Sequence, residues 1–204
     1  VPRHWKGDLI RDLRFEPSKE DRALRILPLP VAISGNGSLF FYPTRVKQLL
    51  AAQKPDHVYV HEEPWSIAAL QAFSALRDRP RSFFTNQNLK KKVPLPFRVA
   101  ERWVFEQSDH AYALSSEAED VLRWKGYSKP VHYLPFSYDA AIFRVRSAEE
   151  RERRRRELKI PEGATVVGYL GRLTEEKGIA ELIGAMKTTV QDPALAHAHF
   201  LWVG

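Results

Sequence analysis

The chain of 204 residues contains no cysteine. That absence excludes disulfides, thiolate metal sites and a cysteine nucleophile, and it suits a reducing compartment. No apolar run approaches the roughly 18 residues that a membrane-spanning helix needs. No signal-peptide pattern opens the chain. No self-similarity at a period of about 20–50 residues and no low-complexity tract stands out. No Asp-x-Asp sequence occurs. Of the seven histidines, only His57 and His61 have His-x-x-x-His spacing. On a strand these two stand about 13 Å apart, too far to share an ion. His197 and His199 lie two apart on an expected strand, where they pack or face solvent. No metal site is expected.

What is present is a globular composition. A hydrophobic fraction of 44% supports a packed core. Thirty-two basic against 25 acidic residues give a net charge of +7, spread along the chain rather than set in one block. Such a balance favours anionic ligands or an anionic membrane surface without specifying nucleic acid. The chain opens on Val1 and stops at Phe200-Leu201-Trp202-Val203-Gly204, a strand running into a glycine. Both ends read as cut.

Taken in order, residues Val1 to Glu20 are polar and basic and read as a tail and loop. Leu24 to Pro30 is a first strand candidate, stopped by its prolines. Leu39 to Tyr42 is apolar and leads to Pro43 at a helix start, with a stripe at Val46, Leu49 and Leu50. His57 to His61 reads as a buried strand. A helix is expected from about Ser66 to Leu76, with Ile67, Leu70, Phe73 and Leu76 facing inward. Arg81 to Thr85 is the next strand. Pro94 to Gln107 is an amphipathic helix with Val99, Trp103 and Val104 on its core side. His110 to Leu114 is a strand, followed by a helix that Ser115 or Ser116 caps, Glu119 standing at capping-box spacing from Ser116. Val131 to Leu134 is a short strand. Glu149 to Leu158 is a charged helix with four consecutive arginines, Arg153 to Arg156.

This alternation predicts an α/β fold, a parallel sheet with helices on both faces. Ligands in such sheets bind beyond the carboxyl ends of the strands. The residues to watch are therefore Glu62, Glu63, Asn86, Gln87, Asn88, Ser115 and Arg172.

Val166 to Leu170 reads as a buried strand, and Gly171-Arg172-Leu173-Thr174-Glu175-Glu176-Lys177-Gly178 as a polar turn bounded by glycines. A helix-period segment follows at Ile179, Leu182, Ile183 and Met186. A turn that opens a helix presents free N–H groups and a partial positive dipole. Arg172 and Lys177 add full charges on either side. The natural guest is an anion, and a diphosphate matches the pair of cations best. A surface turn with solvated charges is the plainer alternative.

Gly-Arg-Leu-x-x-Glu-Lys-Gly between strand and helix resembles the donor-domain signature of family 4 retaining glycosyltransferases, which have the GT-B fold. The resemblance implies two Rossmann-like domains with parallel sheets, both incomplete here. Residues 1–140 would be the acceptor-side domain, missing its first βα unit, and 141–204 the start of the nucleotide-sugar donor domain. The segment Pro135 to Phe143 resembles the family's connector, with Ser137 in the usual glycine place. Gly171, Arg172 and Lys177 would hold the donor diphosphate, and Arg172 and Lys177 would act in catalysis. A departing nucleoside diphosphate gains charge as the sugar bond breaks, and fixed cations that fit this charge accelerate the step.

On the acceptor side, the resemblance places Glu63, Trp65, Gln87 and Asn88 in the cleft. Carboxylates and an indole suit sugar hydroxyls and a sugar face. Equally, Glu62-Glu63-Pro64 suits a proline-started helix with acids at its N-terminus. Gln87 fills a place where many relatives carry histidine, and an amide orients substrate but cannot act as a base. The amides of residues 86–88 also suit a loop that satisfies its own backbone. Ser115 matches the family's usual serine, though capping alone explains it.

The implied activity is hexosyl-type transfer from a nucleotide-diphosphate sugar to a hydroxyl on a glycan, lipid or small acceptor, with retention. The donor is a substrate; no cofactor is implied. The implied location is the cytoplasm, with peripheral contact at the inner face of the membrane as an option, since Lys90-Lys91-Lys92 suits an anionic acceptor or lipid surface as well as bare solvent. The family's glycine-rich loop and its Glu-x7-Glu segment are not in this chain, so the chain alone is expected to be inactive. Two alternatives stay open: a basic α/β nucleic-acid-binding module using Arg153 to Arg156 and Lys90 to Lys92, and a GT-B relative that binds without catalysis.

Overall fold

The computed structural model describes residues 1–6, 13–14 and 25–204. Most of the loop expected from Val1 to Glu20, and Leu24 of the first strand candidate, lie outside the described residues. Residues 1–137 and 138–204 form two compact units.

The first unit contains a short antiparallel pair, β1 (His4–Trp5) with β2 (Leu13–Arg14). The strand expected up to Pro30 does not form: Leu29 makes only an isolated parallel bridge with Pro2. Pro28 and Pro30 lack the N–H groups a ladder needs. Helix α1 (Val46–Gln53) starts three residues later than Pro43 suggested, with Arg45 as N-cap. Then come β3 (Val58–Val60), α2 (Ile67–Ala75), β4 (Arg81–Thr85), α3 (Phe97–Gln107), β5 (His110–Ala113), α4 (Ser116–Trp124) and β6 (Val131–Tyr133).

The four strands β3 to β6 make one parallel sheet in sequential order. Val58 lies beside Arg81, Ser82 beside His110, and Ala111 beside Val131. This order decides where the helices go. A right-handed crossover that always steps towards the same edge leaves every helix on the same side. Accordingly Phe73 of α2, Val104 and Phe105 of α3 and Leu122 of α4 share one core with Val58, Val60, Phe83 and Ala111. The expectation of helices on both faces is corrected. The opposite face carries the rings of His57, Tyr59, His61, Phe84, His110, Tyr112 and His132, packed against one another, with Ser82 hydrogen-bonded to His57. The strand at His57–His61 is likewise buried on one face only: Val58 and Val60 are buried and Tyr59 is exposed. Phe73 and Phe83 are fully enclosed, and each such burial contributes about 1.5–3 kcal/mol.

Local signals explain the helices. Ser66 caps α2, its Oγ accepting from the Ala69 N–H at 3.0 Å. Ser115, not Ser116, caps α4 by accepting from Ala118 N–H at 3.4 Å. The capping box read at Ser116 and Glu119 does not form, because Glu119 pairs with Arg123 at 2.9 Å and accepts from Tyr133 at 2.7 Å. In α3 the inward face is Glu101, Val104 and Phe105. Val99, expected in the core, is 62% exposed.

The second unit has α5 (Ala148–Glu157), β7 (Thr165–Leu170), a 3₁₀ turn at Glu175–Lys177, α6 (Ile179–Gln191), a second 3₁₀ turn at Pro193–Leu195 and β8 (Ala198–Val203). Strands β7 and β8 pair in parallel over their full length. With only two strands to share, β7 is not the buried strand expected: Val167 and Leu170 are exposed. Helix α5 starts on a capping box. Ser147 accepts from Glu150 N–H at 3.2 Å, and the Glu150 carboxylate accepts from Ser147 N–H at 3.0 Å.

Candidate functional site

In the second unit the chain leaves β7 through Gly171, whose N–H donates to Val203 O at 3.0 Å. Gly171 has φ 156°, and a Cβ there would stand 3.1 Å from Tyr169 Oη. Glycine thus lets the Tyr169 ring fold over the turn, where its hydroxyl donates to Arg172 O at 2.7 Å. Gly178, at φ 70°, closes the 3₁₀ turn and starts α6. That conformation favours a residue without Cβ. No side chain caps α6, and Glu181 lies in its first turn.

Arg172 and Lys177 therefore do sit on one turn between a strand and a helix N-terminus. Arg172 is 44% exposed and pairs with Glu176, four residues further along the turn. Lys177 is exposed and has no ion pair among the described residues. The turn is not an empty clasp: one guanidinium nitrogen of Arg172 already holds Glu176, which would compete with an external anion. The Thr174 hydroxyl oxygen, buried in the same turn, has no hydrogen-bond partner. Leaving such a group unsatisfied costs about 1–3 kcal/mol.

In the first unit the polar groups gather at the carboxyl ends of β3 and β4. Glu63 accepts from Thr85 Oγ1 at 2.6 Å and from Asn86 N–H at 2.8 Å. Both of its oxygens are used, and burial pushes its pKa up against these bonds. Gln87 donates from Nε2 to Leu89 O at 3.2 Å and Lys91 O at 3.0 Å. Its Oε1 accepts from Lys125. The same ammonium pairs with Glu101 and lies 4.7 Å from the centroid of the Trp65 ring. The side chains of Lys125 and Glu101 are only 5% and 6% exposed.

So the structure brings Glu63 and Gln87 together through Thr85, and Trp65 and Gln87 through Lys125. It also spends them: the Glu63 oxygens, the Gln87 amide and one face of Trp65 already have partners. Asn88 is exposed and stands outside this network. The neighbour with free chemistry is Glu62. Its carboxyl is raised to about 7, first by burial and then by Glu63. The same carboxyl helps to push the half-buried Tyr42 phenol up to about 12, burial being the larger cause. A carboxyl that is half protonated near neutrality can give or take a proton.

Sequence reading missed Lys125 and Glu101. Glu101 had a signal, since it precedes Val104 and Phe105 by one helical turn and so shares their inward face. Lys125 had none, because its partners are remote in sequence. Among the described residues no group of three or more side chains could hold a metal ion, and no helix is long and apolar enough to cross a membrane. The arginine run of α5 is largely engaged. Arg153 and Arg154 pair with Glu157, and Arg155 pairs with Glu152 and donates to Pro161 O and Ala164 O. No protein-family model matches the chain, and no curated protein matches it.

Proposed function

We propose that this chain belongs to a retaining glycosyltransferase of the GT-B kind, moving a sugar from a nucleotide diphosphate to an acceptor hydroxyl. One observation carries the reading: Arg172 and Lys177 on a glycine-bounded turn at the uncapped N-terminus of α6, with the orphan Thr174 hydroxyl beside them. Two cations and a helix N-terminus suit a diphosphate. In the transfer, the bond from sugar C1 to the diphosphate oxygen breaks. The acceptor oxygen bonds to C1 on the same face, and its proton passes to the departing phosphate oxygen. Arg172, freed from Glu176, and Lys177 bind the charge that grows on that oxygen. The half-protonated Glu62 suits hydrogen bonding to a sugar hydroxyl at the strand ends of the first unit.

The test is titration of uridine, guanosine and adenosine diphosphates into the chain, followed by calorimetry and backbone amide shifts. Saturable binding to at least one, with shifts confined to 171–181, is expected. Arg172→Ala and Lys177→Ala should each weaken it about tenfold, the loss of one charge-assisted contact. Absence of saturable binding, or binding unmoved by both substitutions, removes the reading.

A further inference from the structure

Val99, expected in the core with Trp103 and Val104, is instead open at the start of α3, next to a basic loop. Leu89, Leu95 and Val99 are 71%, 63% and 62% exposed. Between them lie Lys90, Lys91 and Lys92, all exposed, and Arg98 in the first turn of α3, with no acid from Gln87 to Ala100. Leu95, Val99, Trp103 and Trp124, with Lys92 and Arg98, line a groove of about 940 Å³. The Lys92 ammonium stands 5.8 Å from the centroid of the Trp124 ring, which is itself exposed. Two carboxylates reach the groove, and both are neutralised: Glu101 by buried Lys125, Glu106 by Arg102.

The loop is held rather than loose. Gln87 bonds the carbonyls of Leu89 and Lys91, and Lys91 N–H donates to Leu89 O at 2.7 Å. Lys125 in turn fixes Gln87. The three lysines are therefore presented together on a strapped turn.

We propose that this surface docks the protein on an anionic lipid bilayer. Lys90, Lys91, Lys92 and Arg98 meet the headgroup charge, while Leu89, Leu95, Val99 and Trp124 enter the boundary between headgroups and acyl chains. Basic residues rimming exposed aliphatic and indole side chains are the mark of an interfacial surface. A nucleic-acid backbone would satisfy the cations but leave Leu89, Leu95 and Val99 without a partner. The proposal is independent of the transferase reading.

The test is co-sedimentation of the whole chain with vesicles of phosphatidylcholine alone or with 30 mol% phosphatidylglycerol (about a third, to give a strongly negative surface). Binding only to the anionic vesicles, weakened by salt and accompanied by a blue shift of fluorescence that Trp124→Phe removes, is expected. Replacing Lys90, Lys91 and Lys92 by Gln should weaken it on the order of a hundredfold. Leu95→Ser with Val99→Ser should weaken it about tenfold at unchanged charge. Circular dichroism checks that each variant is folded. Failure of the folded wild-type chain to bind anionic vesicles at low salt overturns the proposal. So does equal binding to single-stranded or duplex DNA that ignores Leu95→Ser with Val99→Ser, which would assign the surface to nucleic acid.

Discussion

Lys125 in the first unit and Arg172 in the second are both cations paired with a glutamate, and their surroundings could hardly differ more. Lys125 is enclosed, shared between Glu101 and Gln87 and laid against Trp65. Arg172 contacts Glu176 directly, with both side chains open to solvent. An enclosed charge cannot leave its partners without a large penalty, so it serves as architecture. An exposed pair is worth about 0–1 kcal/mol and exchanges partners readily. Lys125 thus holds a strand end and a loop together, while Arg172 sits in a pair that can open.

Lys125→Met tests this contrast most severely. Removing one partner of the buried pair should destabilise the chain by about 3–5 kcal/mol in urea unfolding. Adding Glu101→Leu should recover much of that loss, since it removes the stranded carboxylate. An effect below 1 kcal/mol (the level of a surface pair) would erase the distinction between the two cations.

The cores can be compared in the same way. Phe83→Ala should cost about 3–5 kcal/mol, because Phe83 is fully enclosed among Phe105 and Tyr127. Val167→Ala, on the exposed two-stranded sheet, should change stability by only about 0.5 kcal/mol. Unfolding measured by fluorescence and by far-ultraviolet dichroism decides both.

Glu62 gives a smaller, pH-dependent effect. Its pKa is about 7 in the fold against an unshifted 4.5. Between those values the unfolded chain has lost a proton that the folded chain retains. Its contribution is therefore complete below about pH 4.5 and is lost as pH rises through 7. With Glu62 partly open to water, the loss is about 1 kcal/mol. Glu62→Gln should remove this slope and be more stable than wild type by that amount at pH 8. Equal pH profiles for the two proteins would show that burial does not hold the proton.

The smallest expected effect is at Glu176. Glu176→Ala should change stability by less than about 0.5 kcal/mol. It should tighten nucleoside diphosphate binding by freeing Arg172. Weaker binding would mean that Glu176 holds Arg172 in place rather than competing with a ligand.

Much of the fold was legible because its elements are local. The strands at Arg81–Thr85, His110–Ala113 and Val131–Tyr133 are short runs rich in β-branched or aromatic residues between turn signals. The strand, glycine bend and helix around Arg172 were legible for the same reason. What failed was long-range. Periodicity puts Val99 on an apolar stripe, but the inward position belongs to Glu101, because Lys125 from the end of α4 neutralises it. Glu63 and Gln87 were found as candidates, yet their consumption by Thr85, Asn86 and Lys125 depends on contacts between separate strands and helices. Coverage of the sheet turned on strand order, which no local pattern records.

That sequential order also bears on how the sheet is assembled. Each strand pairs with the one synthesised just before it: β4 on β3, β5 on β4, β6 on β5. A nascent chain can lengthen the sheet one βα step at a time, each arrival finding its template already in place. Each closure spans a single βα step, so no strand of this four-stranded sheet depends on a partner from a distant part of the chain.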